Sequence, residues 1–438
     1  MKFGGTSVES ASAMGRAAGI VRERLDRHPV VVVSAMGKTT NKLLRLGRQA
    51  ISGEFACALA ELGELREFHL REASGLDVDS QIDAHFTQLA DLVKGLAVIG
   101  ELTPRATDAL SAYGERLSSL IVAAHFRKAG IATIHMDARN LIVTDGRHTQ
   151  AAPLFAETNA RLANCIPEFA KTHVPVMGGF IGSTVDGVTT TLGRGGSDYT
   201  AAIVGAGIGA EEIQIWTDVD GMLTADPTIL PGARRVEACS FAEAAELAYF
   251  GAKVLHPATV LPAIERNIPV RILNSRRPEV GGTLIVSDPP PSASPIRSIA
   301  CKRNIALMNI VSSRMLMAHG FLRRIFEVFD RFETSVDMLA TSEVSVSLTM
   351  DNTRALADIR EEIENFAEVA VEEHQAIVCL VGENIRGCPE AGARVFAALN
   401  GVKTRMISQG ASQLNISLVV AEADLLQAVE SLHTEFFH

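Results

Sequence analysis

Residues 174–202, VPVMGGFIGSTVDGVTTTLGRGGSDYTAA, contain two glycine clusters on either side of a short hairpin pattern. The apolar run at 174–177 predicts a buried strand that stops at a Gly-Gly pair. The second cluster ends at Asp198, and an apolar helix is predicted from Tyr199. A strand, a glycine loop and a helix N-terminus in this order place backbone N–H groups in front of an anion. Ordinary tight turns are the alternative, but two such clusters favour phosphate chemistry.

Composition bounds the class of protein. The chain has 438 residues, 47% of them hydrophobic, which is enough for two or three domains with a sizeable core. A net charge of −10 argues against a nucleic-acid partner. No apolar run reaches the roughly 20 residues of a membrane span, and no signal pattern opens the chain, so we expect a cytoplasmic protein without a membrane partner. The six cysteines form no CxxC pair, which favours reduced thiols over disulfides or a zinc site.

The first residues repeat the pattern of a strand followed by a phosphate loop. Lys2 and Phe3 precede the sequence Gly4-Gly5-Thr6-Ser7, in which two glycines and two hydroxyls follow a cation. One residue stands before Lys2, whereas a strand normally has about five residues. We therefore expect either a translation start further upstream or a weakened first strand.

Strand and helix patterns alternate over the first two thirds of the chain. Strands are predicted at 30–33, 131–136, 174–177, 213–216 and 269–273. Helices are predicted at 10–26, within 53–100, and at 105–128, 153–173 and 240–250. This alternation predicts an α/β fold with a mainly parallel sheet covered on both faces.

Several polar segments follow the predicted strands, where open α/β sheets bind ligands. The segment 34–41 is not a P-loop, because Val32 stands where the first glycine belongs, and it reads as a substrate loop. Glu115 is either a surface charge or a group that meets an ammonium in a cleft. The acceptor-rich loop 217–221 suits a ribose or a hydrated metal, and Lys253 is a candidate for contact with a nucleotide phosphate.

A Pro/Ser-rich stretch, residues 288–296, reads as an extended linker. After it, a helix pattern at 325–329 and an alternating strand at 344–349 recur at 395–399 and 414–419. Each unit is too short to hold a large core alone, so two small βαββαβ modules are expected to pack side by side.

Four motifs, at residues 2–7, 193–201, 216–221 and 251–257, resemble those of aspartate kinases, and the resemblance covers essentially the whole chain. It implies a three-layer α/β/α amino-acid-kinase fold over residues 1–287 and the linker 288–296. Two ACT domains would follow at 297–375 and 376–438, interleaved so that the strand near 297–305 completes the second. The resemblance also implies a homodimer formed through the ACT domains.

The implied reaction is transfer of the ATP γ-phosphoryl group to the side-chain carboxylate of L-aspartate, the first step of lysine, threonine and methionine synthesis. A carboxylate with a pKa of about 3.9 is already ionised at neutral pH, so no general base is needed. Catalysis then reduces to alignment and charge neutralisation. The resemblance implies no protein metal site, because Mg²⁺ would be held mainly by the nucleotide phosphates.

The resemblance also assigns roles to residues. Lys2 would stabilise the transferring phosphoryl group, and Asp198 would hold the lysines in place. The implied aspartate-binding residues are Ser34, Thr40, Glu115, Phe180, Thr191, Arg194 and Ser197. The implied nucleotide-binding residues are Gly4, Gly5, Thr6, Gly178, Gly179, Gly195, Gly196, Thr217, Asp218 and Lys253. The implied effector-binding residues are Met315, Gly320, Phe321, Ser335, Val336 and Asp337. Chemically, Arg194 can fork onto an α-carboxylate and Glu115 can meet an ammonium.

The chain departs from the family pattern near the nucleotide. Leu223 stands in place of the usual tyrosine and Thr228 in place of the usual arginine, which removes a stacking ring and a cation unless Arg234 or Arg235 substitutes. The regulatory half resembles that of lysine-sensitive members at residues 320–321, 335–337 and 341–346. Its loop at 317–319 is less polar than lysine recognition suggests, so threonine or no effector stays open.

Two other readings compete with aspartate kinase. One is an amino-acid kinase of another substrate, such as glutamate, acetylglutamate or a nucleotide. The other is a non-catalytic amino-acid sensor on the same fold, which the replacements at 223 and 228 favour and the presence of Lys2 and Asp198 opposes. A bifunctional enzyme with homoserine dehydrogenase is not expected, because nothing follows the second ACT unit in the sequence.

Overall fold

A computed structural model describes residues 1–251, 257–292, 294–312 and 319–437, and these fall into two compact units. The first unit comprises Met1–Met222 and Leu255–Asp288. The second comprises Leu223–Val254 and Pro289–His438. The segment Leu223–Val254 therefore groups with the C-terminal part of the chain, whereas the sequence-based boundary at 287 assigns it to the first domain.

The first unit is built around a mainly parallel sheet. Its described strands in this sheet are β1 (Lys2–Phe3), β2 (Val31–Val33), β3 (Thr133–Met136), β4 (Val174–Gly178), β7 (Ile213–Thr217), β9 (Val270–Asn274) and β10 (Thr283–Val286). They lie in the order β3-β4-β2-β1-β7-β9-β10, parallel except for β10, which runs antiparallel to β9. A separate antiparallel hairpin joins β5 (Ile181–Ser183) to β6 (Thr189–Thr191) between the two glycine clusters.

Helices connect these strands. They are α1 (Ala11–Arg22), α2 (Thr39–Ile51), α3 (Phe55–Glu72), α4 (Asp79–Ile99), α5 (Pro104–Ser111), α6 (Tyr113–Lys128), α7 (Phe155–Ala170), α8 (Gly196–Ile208) and α10 (Leu261–Glu265). Local sequence explains several starts. The Ser10 hydroxyl accepts the N–H of Ala13 at the start of α1, and Thr103 caps α5 ahead of Pro104. Gly209 ends α8 in the left-handed conformation, as expected for a helix-ending turn.

A buried cluster joins β1, β2, β4 and β7 to α1, α6 and the α2–α4 helices. At its centre lies Trp216, which is fully buried and stacks on Phe3 with ring centroids 6.0 Å apart. The apolar runs of the central strands are buried along their whole length, which is typical of a parallel sheet covered on both faces.

Two features of the first unit differ from the sequence-based prediction. The single helix predicted at 105–128 is two helices, α5 and α6, interrupted at Ala112. Just after the interruption, Gly114 packs so closely on Ala35 that an added Cβ would lie 2.8 Å from the Ala35 Cβ. The strand at Val270–Asn274 is not the last strand before the linker, because the four-residue strand β10 follows it.

The second unit contains an antiparallel sheet. Its strands are β11 (Ser298–Val311), β12 (Leu339–Thr341), β13 (Ser345–Met350), β14 (Glu368–Val381), β15 (Thr404–Gln409) and β16 (Asn415–Ala421), in the order β12-β13-β11-β14-β16-β15. Its helices are α9 (Phe241–Tyr249), α11 (Phe321–Arg331), α12 (Leu356–Glu364), α13 (Pro389–Ala398) and α14 (Leu425–Phe437). The short strand β8 (Ala238–Ser240) leads into α9, where Ser240 and Glu243 form a capping box.

The sheet of the second unit carries two separate hydrophobic cores. One is formed by the second half of β11 with β13, α11 and α12, and the other by the first half of β11 with β14, β16, α13 and α14. Between the halves of β11, the pairing with β14 shifts register near Lys302 and Ile305, and Asn304 has a φ of +56°. The repeat seen in the sequence therefore corresponds to two helix-and-strand modules that share two long strands.

The packing of Phe3 gives a prediction about stability. We expect Phe3→Ala to lower the free energy of unfolding of the first unit by about 3–5 kcal/mol, because the cavity it leaves beside Trp216 is fully enclosed. Trp216 is the only tryptophan, so its fluorescence during denaturant unfolding reports on this unit alone. Phe155→Ala, at a site 41% exposed, is the matched control, and an equal loss in both variants would contradict the prediction.

Candidate active site

Three neighbouring parallel strands end at the same place and deliver loops to one edge of the sheet. β1 leads into Gly4 and Gly5, β2 into residues 34–38, and β4 into Gly179 and Phe180. Because parallel strands point the same way, these three loops are adjacent although they are far apart in sequence. The sequence-based expectation of a polar loop after β2 and glycine loops after β1 and β4 agrees with this arrangement.

The glycine loop, defined here as residues 193–197, supplies the other side of the site. Gly193 and Gly195 have φ values of +77° and +72°, a conformation that glycine adopts without steric cost. Gly196 starts α8, so the helix begins three residues earlier than the sequence suggested and puts Asp198 in its first turn. A negative charge in the first turn is favoured by the helix dipole.

Lys2 and Asp198 form an ion pair across the site. The Lys2 ammonium lies 2.7 Å from the Asp198 carboxylate, and the two side chains are only 10% and 17% exposed. The pair joins the first strand of the sheet to the start of α8. Desolvated charges at this distance attract each other far more strongly than a surface pair does.

Glu115 points a carboxyl group into the site from the first turn of α6. Its Oε1 accepts the N–H of Ala35 at 3.1 Å, while Oε2 is buried without a hydrogen-bond partner in the described part of the chain. Burial raises the pKa of the Glu115 carboxyl to about 8, and the backbone N–H groups and the Lys2 charge oppose that rise only in part. Of the two readings of Glu115, the geometry excludes the surface charge.

Two glycines behind these groups allow close approach. A Cβ at Gly178 would lie 2.9 Å from Glu115, and a Cβ at Gly179 would lie 2.7 Å from Ser197. Phe180 follows with a φ of +64°, and the Thr200 hydroxyl accepts its N–H at 2.9 Å. The absence of a Cβ at Gly178 and Gly179 therefore allows Glu115 and Ser197 to pack close to this backbone.

These groups enclose a cavity of about 320 Å³. Its lining residues are Lys2, Gly5, Ser34, Ala35, Gly37, Thr40, Glu115, Phe180, Gly193, Gly195, Gly196, Ser197 and Asp198. Ten of these are candidate site residues from the sequence. The structure thus brings a cation, two carboxyl groups, three hydroxyls and a glycine loop around one space.

Other candidate residues lie outside that lining. Arg194 is exposed between two lining glycines, and Gly4 donates its N–H to the carbonyl of Trp216 at 3.0 Å. Thr6 lies in the one-turn helix after β1. Thr217 is the last residue of β7, and its hydroxyl donates to the carboxylate of the next residue, Asp218, at 3.2 Å. Lys253 and Met315 lie outside the described residues.

Thr191 is the candidate whose placement differs most from its expected role. It is buried at the end of β6, and its hydroxyl donates to the Asp108 carboxylate at 2.5 Å. Since that hydroxyl is engaged away from the cavity, the structure gives no contact through which Thr191 reaches a ligand there. Asp108 itself was missed, because a single aspartate in a helical pattern carries no local signal.

Comparison with known proteins places this site in a family. Residues 1–274 match the model of the amino acid kinase family, and residues 378–436 match an ACT domain. Aspartokinase 2, chloroplastic, of Arabidopsis thaliana is 41% identical over all of this chain and 84% of its own length. The chain belongs to the aspartokinases.

Solved structures of aspartokinases share the fold. Escherichia coli aspartokinase III in complex with lysine and aspartate, in the T-state, is 36% identical with a TM-score of 0.86. The same enzyme with aspartate and ADP, in the R-state, gives a TM-score of 0.83, and each comparison covers 100% of this chain and 99% of the other. The predicted fold, an amino-acid-kinase domain followed by ACT modules, is confirmed.

The candidate effector residues of this family member lie around the start of α11 and before β12. Gly320 caps α11 with a φ of +81°, and Phe321 is its first residue. Ser335 is exposed and Val336 is half-buried. Asp337 is almost fully buried, and its carboxylate lies 2.6 Å from the Lys302 ammonium, which is also 2.8 Å from Asp351.

The carboxylate of Asp337, an implied effector-binding residue, is thus already paired with the Lys302 ammonium. That ammonium also lies 5.6 Å from the centre of the Tyr249 ring. Burial raises the pKa of the Asp337 carboxyl, and the neighbouring Lys302 charge opposes that rise. An effector that uses Asp337 must therefore displace Lys302 or share the carboxylate with it.

The two carboxylates that pair with Lys302, those of Asp337 and Asp351, differ in burial, and this difference gives a second prediction. Lys302→Met should lower the free energy of unfolding of the second unit by about 2 kcal/mol or more at pH 7, because it leaves the buried Asp337 without its cation. The loss should shrink at acid pH, where Asp337 takes up a proton.

The matched control is Asp351→Asn, which removes the partner that is 44% exposed and should cost less than about 1 kcal/mol. Calorimetry between pH 4 and pH 7 measures both variants. Equal losses in the two variants, or a loss that grows as the pH falls, would contradict the assigned burial of Asp337.

Within residues 1–251, 257–292, 294–312 and 319–437, no helix is both long and apolar enough to cross a membrane.

Proposed function

We propose that this chain transfers the γ-phosphoryl group of ATP to the side-chain carboxylate of L-aspartate and so forms 4-phospho-L-aspartate. The observation that carries this proposal is the cavity in which the Lys2–Asp198 pair faces the hydroxyls of Ser34 and Thr40 and the buried Glu115. Membership of the aspartokinases supports it, as does the similarity to an enzyme solved with aspartate and ADP.

Charge neutralisation is the chemical task of the site. A carboxylate oxygen of aspartate attacks the γ-phosphorus, the bond to the bridging oxygen breaks, and ADP leaves with the electron pair. Both reactants are anions, so their approach is opposed until positive charge lies between them. Lys2 supplies that charge, and Asp198 holds the ammonium in place from the first turn of α8.

Recognition of the amino acid uses other groups that line the same cavity. Glu115 is the partner for the substrate ammonium, since its Oε2 is buried and has no hydrogen-bond partner in the described part of the chain. The hydroxyls of Ser34, Thr40 and Ser197 are the polar groups around it, and Phe180 closes one side. Arg194 is exposed between Gly193 and Gly195, from where its guanidinium can fork onto the α-carboxylate.

The nucleotide contacts rest on backbone donors and on the loop after β7. Gly5, Gly195 and Gly196 line the cavity with little side-chain bulk, which suits phosphate oxygens. We assign Gly4, Thr6 and the Gly178–Gly179 pair to the surrounding phosphate loops, Thr217 and Asp218 to the ribose side and Lys253 to a phosphate. Mg²⁺ enters with ATP, held mainly by the phosphates, and adds positive charge at the transferring group.

The nucleotide loop lacks one cation of the family pattern. Thr228 stands in the position that is usually arginine, and both its N–H and its hydroxyl bind the Asp226 carboxylate, at 2.8 and 2.6 Å. This side chain is therefore committed to a local turn. We expect threonine at this position to lower the affinity for ATP, unless a neighbouring arginine takes the place of the missing cation.

Regulation and assembly involve the second unit. We propose lysine as the effector, on the strength of the similarity to an aspartokinase solved with lysine, and threonine is the alternative. Homodimerisation through the ACT modules is supported by exposed apolar side chains on α11 and near β12. These are Val311, Leu322, Phe326, Leu339 and Val344, each 38–43% exposed. The cytoplasmic location stays a prediction, since the Arabidopsis relative is described as chloroplastic.

The experiment that tests the activity is hydroxylamine trapping of the acyl phosphate with Mg-ATP and L-aspartate, repeated with glutamate and with lysine or threonine added. Aspartyl hydroxamate that depends on both substrates supports the proposal. Product from glutamate instead indicates another amino-acid kinase, and effector binding without any hydroxamate indicates a sensor.

Lys2 gives the sharpest variant in this assay. We expect Lys2→Ala to lower kcat by about 10²–10³, the usual effect of removing one preorganised charge donor. Lys94→Ala is the matched control, because Lys94 is exposed on α4 and does not line the cavity. Activity of Lys2→Ala within a few-fold of the unmodified chain would remove Lys2 from this role.

The raised pKa of the Glu115 carboxyl predicts that substrate binding depends on pH. Its pKa is raised to about 8, so below that pH the free site holds a neutral carboxyl, and only above it does the carboxylate form. The KM for aspartate should therefore fall as the pH rises from 6 to 8, by up to about tenfold per pH unit at the acid end. Glu115→Gln should raise the KM for aspartate and make it independent of pH over this range. An unchanged dependence of KM on pH in this variant would show that another group titrates.

A further inference from the structure

Asp108, on α5, is a fully buried carboxylate that accepts hydrogen bonds from three residues. The N–H of Thr149 lies 3.0 and 3.1 Å from its two oxygens, the Thr191 hydroxyl 2.5 Å from Oδ1, and His148 Nδ1 2.7 Å from Oδ2. A buried charge is costly unless its oxygens are hydrogen-bonded in this way. The three donors come from two separate segments, so the carboxylate holds those segments at a fixed distance.

Both segments support the glycine loop at 193–197 from behind. Thr149 has a φ of +71°, and its carbonyl oxygen is so close to Gly193 that a Cβ there would lie 3.1 Å away. Thr191 lies two residues before the first residue of the loop, and its carbonyl accepts the N–H of Ala151 at 2.9 Å. Gly193 in turn accepts the N–H of Gly196, the first residue of α8. A chain of direct contacts therefore runs from Asp108 to the cavity wall.

We propose that Asp108 is a positioning residue of the phosphoryl-transfer site, which sets the position of the glycine loop through Thr149 and Thr191. Thr191 then acts with it, as a support of the loop. This inference rests on the proposed function, because the loop matters for catalysis only if the cavity binds the reactants.

The expected effect follows from the nature of the reaction. A site that works by alignment is sensitive to displacement of its wall, and a shift of about 1 Å can cost about 10²-fold in rate. The glycine loop presents Gly195, Gly196 and Ser197 to the cavity, so a displaced loop should weaken substrate binding as well as turnover.

The variants Asp108→Ala, Asp108→Asn and Thr191→Val separate positioning from general stability. We expect Asp108→Ala to lower kcat/KM for aspartate by about 10²-fold with a raised KM, which a smaller folded fraction alone cannot produce. Asp108→Asn keeps an acceptor for Thr149 and Thr191 and should restore most of the activity. Thr191→Val removes one bond to a charged group and should cost about tenfold.

Asp145→Ala is the matched control. The Asp145 carboxylate also accepts two backbone N–H groups of this segment, from Arg147 and Ala152, at 3.1 and 3.0 Å. It has no hydrogen bond to Thr191, so its loss should leave kcat/KM within about threefold. An equal loss in the Asp145 and Asp108 variants, or Asp108→Ala within threefold of the unmodified chain, would overturn the proposal.

Hydrogen exchange measured by mass spectrometry tests the same inference without using activity. Amides of the peptide spanning residues 192–199 should exchange at least about tenfold faster in Asp108→Ala, and in Thr191→Val to a smaller extent, but not in Asp145→Ala. Unchanged exchange in both Asp108→Ala and Thr191→Val would overturn the positioning role.

The two measurements also distinguish the two claims. If the unmodified chain forms no aspartyl hydroxamate, the proposed function fails and the exchange data alone decide whether Asp108 holds the loop. If Asp108→Ala does not fold, Asp108→Asn and Thr191→Val carry the test through KM and exchange.

Discussion

The ion pair between Lys2 and Asp198 is the contact on which the arrangement of the site depends. It connects the central strand of the sheet to the first turn of α8, and both charges are largely removed from water. Such a pair is favourable only if the two groups are held close together. The contacts that fix the distance between Lys2 and Asp198 therefore tolerate little change. They include the close contact of Gly179 with Ser197 and the left-handed backbone of the glycine loop.

Local patterns in the sequence predicted most of the fold. The central strands are continuous apolar runs, and helix starts carry Ser, Thr or Pro at their caps, so both were recognisable without tertiary information. The break at Ala112 was not, because residues 105–128 form one continuous helical pattern in the sequence. The strand β10 was missed because four residues beside a Pro-rich stretch carry too little periodicity to distinguish a strand from a linker.

The site shows the same division between local and distant information. Motifs rich in glycine and hydroxyl residues, together with the resemblance to a family, predicted ten of the residues that line the cavity. Asp108 and Lys302 were not predicted, because their partners lie far away in sequence: Thr191 is 83 residues from Asp108, and Asp337 is 35 residues from Lys302. Sequence motifs identify groups that face a ligand, whereas the carboxylates and cations that support them are recognised only when distant segments are brought together.

The two ACT-like modules share β11 and β14, each 14 residues long, and each strand contributes to both hydrophobic cores. The first module lies within one continuous stretch of chain, whereas the core of the second joins Ile299 of β11 to strands that begin only after the first module ends. A deletion that removes the segment before residue 306 would therefore damage the later core, although the rest of that core lies some seventy residues further on. Exchange of one module between relatives would therefore require chain junctions in the middle of β11 and of β14.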